Sequence, residues 1–164
     1  MRPPTAKSAE CFYEAKHVLL VGSGGGHLSQ LLALRPWWEQ RKRTWVTFDT
    51  DEARSRLTQE EVIPAFHPTT RSIPNLLRNF VLAARTVPRT RPDLVISTGA
   101  AVAFPFFCIA KALGIPSVYI EVCDRLESPT LTGRLCYRLS SVFLVQFPEQ
   151  QLLYPRAQVV GALI

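Results

Sequence analysis

The chain lacks paired cysteines, a long apolar run and, for a basic protein, lysine. Its four cysteines, Cys11, Cys108, Cys123 and Cys136, never approach C-x-x-C spacing, so neither a zinc site nor a thiol redox motif is suggested. Cys108, Cys123 and Cys136 lie in apolar contexts and read as reduced core residues. The longest greasy stretch, Ala100 to Ala110, is interrupted by Pro105 and stopped by Lys111. It falls short of the ~20 residues that a membrane-spanning helix needs. Met1 to Lys16 has no apolar core of a secretory signal and reads as a flexible leader. These shortages predict a cytoplasmic chain, with attachment to a membrane surface still open.

Charge is present mainly as arginine. Nineteen basic residues, fifteen of them arginine, stand against thirteen acidic ones, a formal charge of +6. Arginine grips phosphate bidentately and stacks on rings, so acidic partners are expected. Nucleic acid, anionic lipid headgroups and a diphosphate substrate are the three candidates. No RNA- or DNA-reading motif favours the first, and no nucleic-acid partner is expected. The length of 164 residues and hydrophobic content of 47% suit one domain with a substantial core, residues 17–164.

The most informative stretch is Gly22-Ser-Gly-Gly-Gly-His27-Leu-Ser-Gln30. It follows a buried-strand run, His17–Val21, and precedes leucines at helical spacing. Strand, glycine loop and helix start in that order make an anion site. Glycines let amides approach a phosphate, and the helix N-terminus adds about half a positive charge. Ser23, Gly24, Gly25, Gly26 and His27 are therefore candidate phosphate-binding residues. A dinucleotide fingerprint would need glycine where His27 stands, and a Walker loop would need a lysine. The alternative is a tight turn capped by His27, which leaves three consecutive glycines unexplained.

Seven short apolar runs read as strands: His17–Val21, Thr44–Phe48, Val62–Phe66, Leu94–Ser97, Ser117–Val122, Ser141–Gln146 and Gln158–Val160. Helical patterns lie between them, near Leu28–Gln40, Glu52–Gln59, Pro74–Thr86, Ala101–Leu113, Leu131–Leu139 and Glu149–Leu153. Doubly apolar strands separated by helices predict an α/β fold, a Rossmann-like parallel sheet with helices on both faces. In such sheets ligands bind beyond the carboxyl ends of the strands. Three loops should meet there: Gly22–His27, Ser97-Thr98-Gly99-Ala100, and the segment from Glu121 through Asp124 and Arg125. Glu121, at the end of an apolar strand, is either a structural ion-pair member or a site group with a tuned pKa.

Two segments leave a choice between membrane and core. In Arg71–Arg91, Ile73, Leu76, Leu77, Phe80, Val81 and Ala84 form an apolar stripe flanked by Arg71, Arg78, Arg85, Arg89 and Arg91. Such a helix can lie in a membrane interface, with Arg78, Phe80 and Arg85 facing lipid. The plainer expectation is a crossover helix that buries its stripe on the sheet. Trp37-Trp38, beside Arg41-Lys42-Arg43, is either an interfacial anchor or a packed helix end.

Gly22–Gln30, Leu32-Ala-Leu-Arg-Pro-Trp-Trp-Glu39, Trp45-Val-Thr-Phe-Asp49, Tyr119-Ile-Glu-Val-Cys-Asp-Arg125, Thr130-Leu-Thr-Gly-Arg134 and Phe143-Leu-Val-Gln-Phe-Pro-Glu-Gln150 occur in one order. Together they resemble the acceptor-binding subunit of two-component, UDP-sugar-dependent polysaccharide glycosyltransferases. These are the bacterial PssD-like exopolysaccharide group, related to the eukaryotic membrane subunit of the dolichyl-diphosphate N-acetylglucosamine transferase. The likeness runs from residue 17 to about 161.

The resemblance implies the N-terminal half of a GT-B glycosyltransferase. This chain would hold a polyprenyl-diphosphate-linked acceptor. A partner chain, forming a heterodimer, would bind the UDP-sugar, a substrate rather than a cofactor; no cofactor and no metal are expected. The pair would be an inverting hexosyltransferase at the inner face of the membrane, with this chain inactive alone. The eukaryotic relatives carry a membrane anchor that is not expected here, so docking would rest on the arginine-rich helix, on Trp37-Trp38 or on the partner.

The same resemblance places Glu121 as the general base or its orienting partner, and His27 on the diphosphate. Thr98 and Gly99 would line the acceptor site. Arg125 would pair with phosphate and Asp124 would orient a sugar hydroxyl. Two other functions remain as alternatives: a non-catalytic scaffold that recruits the donor subunit, and a stand-alone nucleotide-binding enzyme.

Overall fold

Apolar residues on both faces of a strand can be buried only if layers cover the sheet from both sides, and the sheet obeys that rule. The computed structural model describes residues 12–123 and 127–163. The elements in order are β1 (His17–Val21), α1 (Gly26–Ala33), α2 (Arg35–Trp38), β2 (Lys42–Phe48), α3 (Asp51–Arg56), β3 (Val62–Ala65) and α4 (Ile73–Thr90). There follow β4 (Leu94–Ser97), α5 (Ala103–Ala112), β5 (Ser117–Ile120), α6 (Leu131–Leu139), β6 (Val142–Val145), a 3-10 turn (Pro148–Leu152) and β7 (Gln158–Val159). Every residue of β1, β4 and β5 is buried.

The strands form one parallel sheet in the order β3-β2-β1-β4-β5-β6-β7. All seven expected strands are present, and the α/β, Rossmann-like expectation holds. The chain runs outward from β1 to β3 and then returns through α4 to place β4 on the other side of β1. The helices after β1 and β4 therefore go to opposite faces of the sheet, and the crevice at that switch point is where such sheets bind ligands.

Each face has its own core. On one, Leu28 and Leu31 of α1, Trp38 of α2 and Ala53 of α3 pack against Leu20, Trp45 and Ile96. On the other, Ala83 and Val87 of α4, Phe106 and Phe107 of α5, and Cys136 of α6 pack against Leu19, Val46 and Val95.

Several helices differ from expectation for identifiable reasons. The single helix expected over Leu28–Gln40 breaks at Leu34, ahead of Pro36 at the second position of α2. In the other direction, α4 runs through Pro88 and closes on Arg91, whose left-handed backbone donates its amide to the Val87 carbonyl.

The larger correction concerns which side of α4 faces the sheet. Its buried residues are Asn75, Asn79, Ala83, Thr86 and Val87. Asn79 accepts from the Phe66 amide at 3.0 Å and donates to the Phe66 carbonyl at 2.9 Å, while Asn75 donates to the Pro68 carbonyl at 2.9 Å. These asparagines satisfy irregular backbone after β3, which buried polar groups require. The apolar stripe is thereby turned away from the sheet. Ile73, Leu77 and Val81 are 70%, 59% and 50% exposed. Leu76 and Phe80 are half-buried beside α5, with the Phe80 ring edge-on to Phe104 at 5.7 Å.

The tryptophans are likewise not a lipid anchor. Trp38 is 3% exposed, packs edge-on to Trp45 at 5.4 Å and donates its indole N–H to the Leu31 carbonyl. Trp37 stacks on Phe12 at 4.4 Å and carries the Arg41 guanidinium on its ring. Both belong to the face of the sheet opposite α4.

Candidate functional site

Beyond the carboxyl ends of the strands lies a cleft of about 800 Å³, walled by the loops after β1, β4 and β5. The first wall is the glycine loop. Gly25, the N-cap of α1, has φ 64°, a conformation natural to glycine, and its amide donates to Glu52 Oε2 at 2.9 Å. Glu52 is in turn paired with Arg56 at 3.1 Å, and Arg56 donates to Ser29 Oγ of α1. An anion thus already sits on one loop amide, and it is the chain's own carboxylate.

His27 joins the first wall to the second. Its Nδ1 lies 2.8 Å from the Thr98 carbonyl, and Thr98 Oγ1 donates to the His27 carbonyl at 2.7 Å. A carbonyl only accepts, so Nδ1 carries a proton, and in the neutral form of the ring the lone pair is on Nε2. Gly99, at φ 122°, permits this approach. A Cβ there would come within 2.7 Å of His27 Cε1 and 3.1 Å of the Tyr119 hydroxyl.

Glu121 stands at the third wall, 1% exposed. Its Oε1 accepts from the Val122 amide at 3.2 Å and its Oε2 from the Tyr154 hydroxyl at 2.6 Å. The Tyr154 hydroxyl is pushed well above the usual tyrosine range, first by burial and then by this bond. Tyr119 is raised for the same first reason, with the Glu121 charge adding to it. Both phenols therefore stay protonated donors at neutral pH.

The strand end is clamped from behind by glutamines. Gln146 donates to the Glu121 carbonyl at 3.0 Å, and Gln150 donates to the Val122 carbonyl at 2.7 Å while its Oε1 takes the amides of Gln146 and Phe147.

Ser23, Gly26, His27 and Glu121 line the cleft as expected, and Gly24, Gly25, Thr98 and Gly99 sit on the loops that frame it. Asp124 and Arg125 lie outside the described residues. Arg78 bonds Asn75 and sits over the Phe66 ring at 5.8 Å, and Arg85 is exposed on α4; neither lines the cleft. Cys136 is a buried thiol and Cys108 a half-buried one, both raised by burial, and Cys123 is half-buried in the cleft wall. Among the described residues no cluster of His, Cys, Asp and Glu could hold a metal ion, and no helix is long and apolar enough to cross a membrane.

Three residues were missed in the sequence. Gln30, on α1, is 3% exposed and lines the cleft, and its Oε1 is buried without a hydrogen-bond partner. Gly133, in α6, lets that helix approach; a Cβ there would collide with Glu121, Tyr154 and Thr130. Arg71 reaches the cleft from the loop before α4. Gln30 and Gly133 stand within the segments Gly22–Gln30 and Thr130–Arg134, but nothing local marks either of them, or Arg71, as part of the cleft or its frame, because the cleft is assembled from segments distant in sequence.

The sheet order, the glycine loop at its switch point and the cleft beyond define a fold class: a Rossmann-like domain of the kind that forms the N-terminal half of GT-B enzymes. The crystal structure of Acinetobacter baumannii MurG superposes with a TM-score of 0.68 at 22% identity, over 82% of this chain and 42% of that one. A family model, Oligosaccharide biosynthesis protein Alg14 like, matches residues 65–163, and the chain belongs to that family.

Among relatives, the human UDP-N-acetylglucosamine transferase subunit ALG14 is 26% identical over 92% of this chain and 84% of its own length. A Ruminiclostridium cellulolyticum UDP-N-acetylglucosamine–N-acetylmuramyl-(pentapeptide) pyrophosphoryl-undecaprenol N-acetylglucosamine transferase is 28% identical over 82% of this chain. The chain spans only 40% of that enzyme.

Proposed function

We propose that this chain is the acceptor-side subunit of a UDP-N-acetylglucosamine transferase acting on a polyprenyl-diphosphate-linked sugar. A second chain would supply the UDP-sugar site. The observation that carries the reading is the convergence of His27, the Thr98–Ala100 turn and Glu121 on one cleft at the switch point. The names of the Alg14 and undecaprenol-linked relatives supply the sugar and the lipid.

In an inverting transfer the acceptor hydroxyl attacks the anomeric carbon, the bond to UDP breaks, and a base takes the hydroxyl proton. Accessibility favours exchanging the roles first expected. Glu121 is nearly fully buried and already accepts two hydrogen bonds. His27 is half-exposed at the cleft with its Nδ1 proton fixed by Thr98, which directs basicity to Nε2. In this proposal His27 is the base and Glu121 a positioning residue that holds the third wall through Tyr154.

Peripheral membrane contact is supported by the face that carries α4, α5 and α6. These three helices contain no acidic residue, and Ile73, Leu77, Val81 and Leu131 protrude from them. Basic and apolar together suit an anionic lipid surface.

The test is co-purification followed by a transfer assay. The tagged chain is expected to bring down a second chain, and the pair to transfer N-acetylglucosamine from UDP. His27→Ala is expected to lower kcat about 10²–10⁴-fold with the pair intact. Undiminished transfer would leave the recruiting-scaffold reading in its place.

A further inference from the structure

A second cavity opens from the cleft. It is an apolar groove of about 440 Å³ between the start of α4, α5 and α6, walled by Ile73, Leu76, Phe104, Leu131 and Leu135. Thr69, Arg71, Ala101, Leu131 and Thr132 line both cavities, so the two are continuous. The groove leads outward to Ile73, the first residue of the exposed row on α4.

Arg71 is the cation at the junction. It is exposed and, among the described residues, within ion-pair distance of no carboxylate. By contrast Arg35, Arg43, Arg54 and Arg56, on the α1–α3 side, each have an acidic partner. Its backbone is left-handed, φ 54°, which disfavours any residue with a Cβ. Strained positions of this kind persist where the surroundings fix them and gather at ligand clamps. The sequence from cleft to surface is therefore polar chamber, guanidinium, apolar groove, exposed apolar helix face.

Resting on the acceptor-subunit reading above, we propose that Arg71 holds the diphosphate of the lipid-linked acceptor and that the first prenyl units lie in the groove between α4, α5 and α6. The glycine loop then receives the sugar rather than the diphosphate. One observation and one consequence of the proposed role of His27 separate the tasks. The Gly25 amide is taken by the Glu52 carboxylate, which would repel a second anion. And a His27 that removes a proton from a sugar hydroxyl stands across the sugar ring from the phosphate-bearing carbon. The groove suits the tail because it is apolar, is continuous with the head-group chamber and is flanked by helices without acidic residues.

The test uses the full chain and farnesyl diphosphate as the probe, titrated by calorimetry at fixed ionic strength beside inorganic pyrophosphate. Farnesyl diphosphate is expected to bind at least about ten-fold tighter than pyrophosphate, since only it fills the groove. R71G removes the guanidinium while suiting the left-handed backbone, and is expected to weaken that binding about ten-fold or more. R71K is expected to recover part of it.

Leu135 is partly exposed, so L135E is expected to fold with an unchanged melting temperature and to lose the advantage of the farnesyl chain. Equal binding by R71G and wild type overturns the proposal, as does loss in H27A rather than in R71G. Failure of farnesyl diphosphate to bind at all also overturns it. A groove that seats the partner chain would show as L135E abolishing co-purification without any farnesyl diphosphate binding, and overturns it too. The transferase reading is tested separately by sugar transfer in H27A, so the two failures are distinguishable.

Discussion

At the residue scale, two glycines and a glutamine set the dimensions of the cleft. Gly133→Ala would drive a methyl group of α6 into Glu121 and Tyr154, and overpacking of this kind costs about 1–3 kcal/mol. Urea unfolding should show that loss, and sugar transfer should fall with it. Gln30 predicts the opposite pairing of effects. Its Oε1 is buried and unsatisfied, a state that costs about 1–3 kcal/mol, so Gln30→Met should match or exceed the wild type in thermal stability. If the amide reads a group on the acceptor, the same variant should bind the acceptor more weakly.

His17 supplies a pH dependence at this same scale. Burial, followed by the Lys42 charge, holds its imidazole below the usual 6.5, and its ring bonds Thr44 at 3.0 Å. Below pH ~6.5 the unfolded histidine gains a proton that the folded one refuses, so stability falls as pH drops through that window. His17→Gln should flatten the pH dependence of urea unfolding between pH 7 and 5, and an unchanged slope would contradict the assignment.

At the scale of elements, α4 separates stability from surface binding. Leu77→Glu with Val81→Glu should leave unfolding within ±0.5 kcal/mol or so, as exposed changes usually do, yet abolish flotation with anionic vesicles. Trp38→Ala should behave in reverse, losing about 3–5 kcal/mol from the core without changing how the folded protein meets lipid. The strands were legible in the sequence because burial on both faces writes an unbroken apolar run, as in Val18-Leu-Leu-Val21. The helix Leu131–Leu139 was legible from its spacing, and the structure adds its Thr130 cap, whose hydroxyl accepts from the Gly133 amide. The orientation of α4 was not, because periodicity assigns the most apolar face to the core. Here Asn75 and Asn79 occupy that face to serve backbone groups after β3, a demand that exists only once the chain is folded. The three loops of the cleft were legible from glycines and strand ends. Arg71 and Gln30 were not, since one is a surface arginine among many and the other a polar residue on an amphipathic helix.

For the whole molecule, charge is sorted by face. The ion pairs Arg35–Glu39, Arg54–Asp49 and Arg56–Glu52 belong to the α1–α3 side, while α4, α5 and α6 carry basic residues alone. Vesicle binding should therefore weaken steeply as salt rises, because exposed charges are screened over about 8 Å at physiological ionic strength. The sheet order has a further consequence, in time rather than in space. β1 leaves the ribosome ahead of the other six described strands, yet its neighbour on one side, β4, pairs Leu94 with Val18, 76 residues later by subtraction. At about 5–20 residues per second that partner follows by roughly 4–15 s. Throughout that interval the nascent chain presents one unpaired edge of a strand that is fully buried in the fold, so shielding of that edge until β4 emerges is expected to raise the yield of folded chain.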